Sequence, residues 1–140
     1  PGRLPAALRR SMPPSVTLTG FLSEPDYWSL LASADAVLDL TTMDNCLVCG
    51  AYEAIAAGKP LVLSNNAASI AAFRGFAEFT DNSPAGIVSA LKRVRARHTE
   101  MAAALPRLRA AFEASWTLKS RVLLDFIGPS ARRPESIRND

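Results

Sequence analysis

The stretch Ala36–Ser64, AVLDLTTMDNCLVCGAYEAIAAGKPLVLS, decides the fold. Val37, Leu38 and Leu40 make a short apolar run, as a strand covered on both faces requires. The polar segment Thr41–Asn45 ends it. Cys49–Ala57 is rich in alanine, a strong helix former. Gly58 falls where a helix C′ residue belongs, and Pro60 prevents continuation. Leu61, Val62 and Leu63 then form a second strand. Strand, helix and strand at this spacing predict one right-handed crossover between parallel strands. Ligands of such units bind beyond the carboxyl ends of the strands, where the helix start presents free N–H groups.

Outward from this unit, Val16–Thr19 alternates like a strand and stops at Gly20. Ser23 is a good N-cap, with Pro25 in the first turn and Asp26 three residues on. It opens a helix over Pro25–Ala34, whose stripe of Tyr27, Leu30, Leu31 and Ala34 is expected to face the sheet. Trp28 falls off that stripe. Leu4–Ser11 reads as a short surface helix. On the other side, Ala68–Phe73 reads as a short helix closed by Gly75, and Ala77–Phe79 as a short edge strand. Asp81 or Ser83 caps a helix over Pro84–Arg97, with Ile87, Ala90, Leu91 and Val94 on its apolar stripe. Lys92, Arg93, Arg95 and Arg97 read as its solvated face, and His98 as a solvated histidine at its end. Pro106 is expected to kink or divide the helical run Met101–Ala114. A further helix is expected from Ser115–Trp116 to about Phe126, with Val122, Leu123 and Phe126 on its apolar side. Residues 1–127 thus read as one domain and 128–140 as a flexible tail.

Composition sets the outer bounds. The chain has 140 residues, 49% hydrophobic and 21% charged, which is the composition of a folded domain. The net charge of +3 comes largely from the ends, through Arg3, Arg9 and Arg10 and through Arg132, Arg133 and Arg138. No basic stripe is interleaved with aromatics, so a nucleic-acid partner is not expected. No apolar run approaches the roughly 18 residues of a membrane span, and no signal peptide is visible. Two cysteines three positions apart give no disulfide framework. A reducing cytoplasm is the expected location. The chain opens on proline, so it is expected to be processed or part of something longer.

The runs GFLSEPDYWSLLASADAVLDLTT and EAIAAGKPLV together resemble nucleotide-sugar glycosyltransferases with two Rossmann-like domains, most closely the large retaining family numbered four. That family carries an acidic residue, seven intervening residues, a glutamate, and a small-residue helix ending in Gly-Lys-Pro or similar. Glu53 matches the glutamate; eight positions earlier stands Asn45, an amide in place of the acid. The resemblance implies an α/β fold: a Rossmann-like three-layer domain with a parallel sheet, the C-terminal donor half of a two-domain enzyme, truncated at its start. An acceptor domain, with a basic loop for the phosphates, would precede it. The donor would be a nucleotide diphosphate sugar, the acceptor a saccharide or lipid-linked sugar, and the reaction retaining without a required metal. The absent domain would bring the chain to the membrane surface.

The same comparison distributes the expected roles. Glu53 would accept both ribose hydroxyls. The helix start at Leu47, Val48, Cys49 and Gly50 would hold the diphosphate, with hydroxyls from Thr41 and Thr42. Phe21 and Leu22 would lie against the base. Asn45, with Asp44 beside it, would stand at the catalytic position. Two other readings compete. Cys46 and Cys49 form a C-x-x-C at a helix start, the setting of thiol redox sites, although Asn45 stands where such sites carry an aromatic. Alternatively the chain is a non-catalytic module that binds nucleotide or a partner.

Overall fold

The computed structural model describes residues 5–128. The chain divides into two compact units, one running to Ala34 and one beginning at Asp35. The first contains α1 (Ala6–Arg10) and α2 (Glu24–Ser33). Ser23 caps α2 as its sequence suggests: its hydroxyl accepts from the Asp26 N–H at 3.3 Å and donates to the Asp26 carboxylate at 2.6 Å. Of the expected stripe only Leu31 is buried, while Tyr27 and Leu30 remain exposed. Trp28 packs edge-on against Tyr27, with ring centres 5.9 Å apart. The strand expected over Val16–Thr19 is not formed. An alternating segment becomes a strand only by joining a ladder, and the three-stranded sheet is built wholly from later residues.

The second unit is α/β. Its sheet has the order β1–β2–β3, from Val37–Asp39, Leu61–Ser64 and Ala77–Thr80, with every pairing parallel. Between β1 and β2 lies α3 (Cys49–Ala56), between β2 and β3 lies α4 (Ala67–Phe73), and after β3 comes the long α5 (Pro84–Ile127). The crossover read in Ala36–Ser64 is therefore present. One part of that reading is corrected: β1 is an edge strand, and Leu38 on it is 40% exposed rather than covered on both faces. All of β2 is buried.

The helix stops follow their residues. Gly58 takes a left-handed φ of 68°, and at the end of α3 its N–H bonds Ile55 O while Lys59 N–H bonds Ala54 O. That pair of bonds satisfies the last carbonyls of the helix. Ser83 caps α5 by accepting from Gly86 N–H at 3.0 Å, and Asp81 holds Ser83 through its N–H and hydroxyl.

Both faces of β2 are covered. On one, Leu61 and Leu63 pack with Ala51, Ala54 and Ile55 of α3, Phe73 of α4 and Leu105 of α5. On the other, Val62 packs with Ala90, Val94 and Met101 of α5. Pro106 does not divide α5, which runs helically for 44 residues. Proline forfeits one helix bond, but Leu105 beside it is almost fully buried and Phe112 about two turns further packs against the same core, and that packing outweighs the lost bond. Beyond Phe112 the helix leaves the core: Val122, Leu123 and Phe126 are exposed, Phe126 by 89%. Arg93 and Arg97 are not simply solvated, because they bracket Glu78 of β3 at 2.6 and 2.8 Å. His98 is half-buried, its Nε2 lying 3.0 Å from the Asp35 carbonyl oxygen. Of the expected tail, only Gly128 falls among the described residues.

Candidate functional site

The carboxyl ends of parallel strands gather the loops that follow them, and here those loops are tied together. Thr41, after β1, donates its N–H to the Ser64 hydroxyl at 2.8 Å. Ser64, the last residue of β2, donates that hydroxyl to Asn82 Oδ1 at 2.9 Å. Asn82, after β3, donates its amide back to the Thr41 carbonyl at 2.9 Å. The ring closes on itself and joins all three strand ends. Asn82 sits at φ 65°, a left-handed conformation that asparagine tolerates better than most residues. Sequence reasoning missed Asn82 and Ser64; a serine ending a fully apolar strand was the available signal.

Above this ring is a hollow of about 430 Å³ lined by Leu40, Thr41, Thr42, Met43 and Asn82. Thr42 and Asp44 are exposed beside it in the β1–α3 loop. Asn45 is also exposed and has a left-handed φ of 56°. Asparagine occupies that region more readily than glutamate, which gives the amide a backbone reason to be there. Cys46 is half-buried and its carbonyl accepts from Asn66 at 3.5 Å, while Asn66 caps α4 through Ser69 N–H at 2.8 Å.

At the start of α3, Val48 is the N-cap and has no side chain to offer the free N–H groups. It packs into the core instead. Leu47 and Cys49 are exposed. Asp39, the last residue of β1, lies against this helix start, its carboxylate at the place a Gly50 side chain would take. Gly50 is required by this arrangement. A Cβ there would collide with the Asp39 carboxylate oxygen and stand 3.1 Å from its Cγ. Burial pushes the Asp39 carboxyl above the usual carboxylate range; the Gly50 N–H opposes this and the charge of Glu53 adds to it. Glu53 follows Gly50 by three residues, on the same face of α3, and is half-buried. The structure thus brings Asp39, Gly50 and Glu53 together. Asp39 was not anticipated, although an acid inside the run VLDL was its signal.

Phe21 and Leu22 belong to the first unit, where Phe21 is 86% exposed. Cys46 and Cys49 are both free thiols. Among the described residues no group of three or more histidine, cysteine, aspartate or glutamate side chains could hold a metal ion, and no helix is long and apolar enough to cross a membrane. No family model matches the chain, and neither a curated protein nor a solved structure matches it.

Proposed function

We propose that this chain is the donor-binding domain of a retaining glycosyltransferase, the C-terminal half of an enzyme with two Rossmann-like domains. It takes a nucleotide diphosphate sugar, and the parent enzyme passes the glycosyl group to a saccharide or lipid-linked acceptor. One observation carries the reading. Within the parallel β1–α3–β2 crossover, Gly50 and Glu53 stand one turn apart on the α3 face that meets the carboxyl end of β1.

That placement suits the chemistry. A ribose offers two neighbouring hydroxyl donors, and one carboxylate accepts both. Hydrogen bonds to a charged group contribute about 1.5–3 kcal/mol each, so Glu53 would account for about a hundredfold or more in affinity. The diphosphate would lie at the α3 start, on the N–H groups around Cys49 and Gly50, with Thr42 beside it. Those dipoles stabilise the charge gathering on the departing diphosphate, while the sugar becomes oxocarbenium-like. Asp44 supplies a carboxylate for that developing positive charge, and Asn45 hydrogen-bonds sugar hydroxyls. The scheme needs no metal, because the helix start and a basic loop of the preceding domain supply the positive potential. The parent enzyme works in the cytoplasm, its first domain reaching the membrane surface.

Calorimetric titration with UDP and GDP tests this reading. Saturable binding of at least one is expected, with little or no sugar transfer by this chain alone. Absence of binding by both refutes it. A second reading has its own support: the exposed apolar residues late in α5, including Trp116, Leu118 and Val122, favour a module that docks a partner and binds no donor. The same titration separates the two. Thiol redox chemistry at Cys46 and Cys49 is a third reading, which two thiols of ordinary reactivity would end.

A further inference from the structure

A second hollow lies toward the amino end of the sheet, away from the ring of Thr41, Ser64 and Asn82. It has a volume of about 420 Å³ and is lined by Phe76 and Leu108, by Ala103 and Ala104, and by two arginines, Arg74 and Arg107. Arg74 and Phe76 flank Gly75 in the link from α4 to β3, whereas Asn82 follows the carboxyl end of β3. Gly75 holds a left-handed φ of 85°, which turns the chain at this point. Phe76 is held in place by Phe112, edge-on with ring centres 5.5 Å apart.

The two guanidiniums have no counter-charge. Among the described residues neither meets a hydrogen-bond or ion-pair partner, whereas Arg93, Arg97 and Arg109 are each paired with a glutamate. The sequence explains the difference. On a helix an acid reaches an arginine from three or four residues away. Around Arg107 those positions are Ala103, Ala104, Ala110 and Ala111. Helix α4, which Arg74 follows, contains no acid. The acids of α5 on either side, Glu100 and Glu113, are taken by Arg97 and Arg109. Two like charges lining one hollow repel, and an anion between them turns that repulsion into attraction.

We propose that this hollow binds an organic phosphate monoester, with Arg74 and Arg107 on the phosphate and Phe76 and Leu108 against its apolar body. The guanidinium fork pairs with phosphate oxygens two at a time. A phosphate monoester carries close to two negative charges at neutral pH, which two arginines balance, whereas a carboxylate carries one. The volume falls within the roughly 300–1,000 Å³ of small-ligand sites, and the lining beyond the arginines is apolar. The site is separate from the start of α3 and does not rest on the reading of that helix.

The test titrates the whole chain with phenyl phosphate at low salt and follows the backbone amide resonances. Saturable shifts are expected at Gly75, Ala103 and Ala104. The affinity should be about tenfold above that for inorganic phosphate, which lacks the ring, and for benzoate, which lacks the second charge. Arg74→Gln and Arg107→Gln should each weaken binding about tenfold. Arg95→Gln, at an arginine lining a different hollow beside His98, should leave it unchanged. Both Arg74 and Arg107 are exposed, so their variants are expected to keep the wild-type amide spectrum elsewhere. No saturable shift, shifts centred on other residues, or equal affinity in wild type and both variants overturns the site. Inorganic phosphate or benzoate binding as tightly as phenyl phosphate overturns the assignment to a monoester with an apolar body.

Discussion

The ring of Thr41, Ser64 and Asn82 is what fixes the loops over the carboxyl edge of the sheet, and replacing Asn82 measures its worth. Asn82→Ala removes two side-chain bonds, one from Ser64 and one to the Thr41 carbonyl, each 2.9 Å long. At about 1 kcal/mol each they contribute about 2 kcal/mol. Alanine at φ 65° adds about 1 kcal/mol of left-handed strain, for a total of about 3 kcal/mol. Asn82→Gly loses the same bonds without that strain and should cost about 1 kcal/mol less. Ser64→Ala also loses the acceptor for Thr41 N–H, at 2.8 Å, and should cost about 2 kcal/mol. The double variant Ser64→Ala with Asn82→Ala should cost about 1 kcal/mol less than the sum, because the shared bond is counted twice in the singles. Urea unfolding by linear extrapolation reads all four values. If the singles lie within about 0.5 kcal/mol of wild type, or the double is additive, the ring does not hold the loops together.

Phe73 is fully buried and meets Tyr52 edge-on at 5.2 Å; Phe73→Ala should cost about 3–5 kcal/mol in the same assay, and a loss under about 1 kcal/mol would mean the aromatic cluster is loose. Because burial raises the Asp39 pKa, its contribution is present at low pH and fades as pH rises through the raised value. Asp39→Asn should accordingly be more stable than wild type at neutral pH, with the gap closing below the usual carboxylate range; a gap that widens on acidification contradicts the assigned direction. Glu78→Gln should cost no more than about 1 kcal/mol, since Arg93 and Arg97 are 44% and 49% exposed, and the cost should shrink in high salt. A large, salt-independent loss would show that the pair is far better shielded than its exposure implies.

The elements legible in the sequence were those whose signal is local. The crossover around Cys49–Ala57 could be read because alanine content, Gly58 and Pro60 each act within a few residues, and so could the caps at Ser23 and Ser83. What escaped was decided by partners distant in sequence. Val16–Thr19 has the alternation of a strand but no ladder. Pro106 reads as a break, yet Leu105 and Phe112 pack on a core supplied by α3, α4 and β2 and carry α5 through it. Leu38 reads as buried, but nothing in its own neighbourhood says that β1 is an edge. In the site, Glu53 and Gly50 were visible as a spacing on one helix. Asp39 and Asn82 were not, because their meaning lies in a 23-residue reach from Thr41 to Ser64, a 41-residue reach from Asn82 to Thr41, and the contact of β1 with α3.

The central claim is that the α3 carboxylate, not the loop amide, grips the donor. Calorimetry with UDP and GDP on wild type, Glu53→Ala and Asn45→Ala tests it most directly. Glu53→Ala should weaken nucleotide binding about a hundredfold, as two lost charge-assisted bonds require, while Asn45→Ala leaves nucleotide affinity nearly unchanged. Equal effects of the two substitutions, or full affinity in Glu53→Ala, would contradict the account.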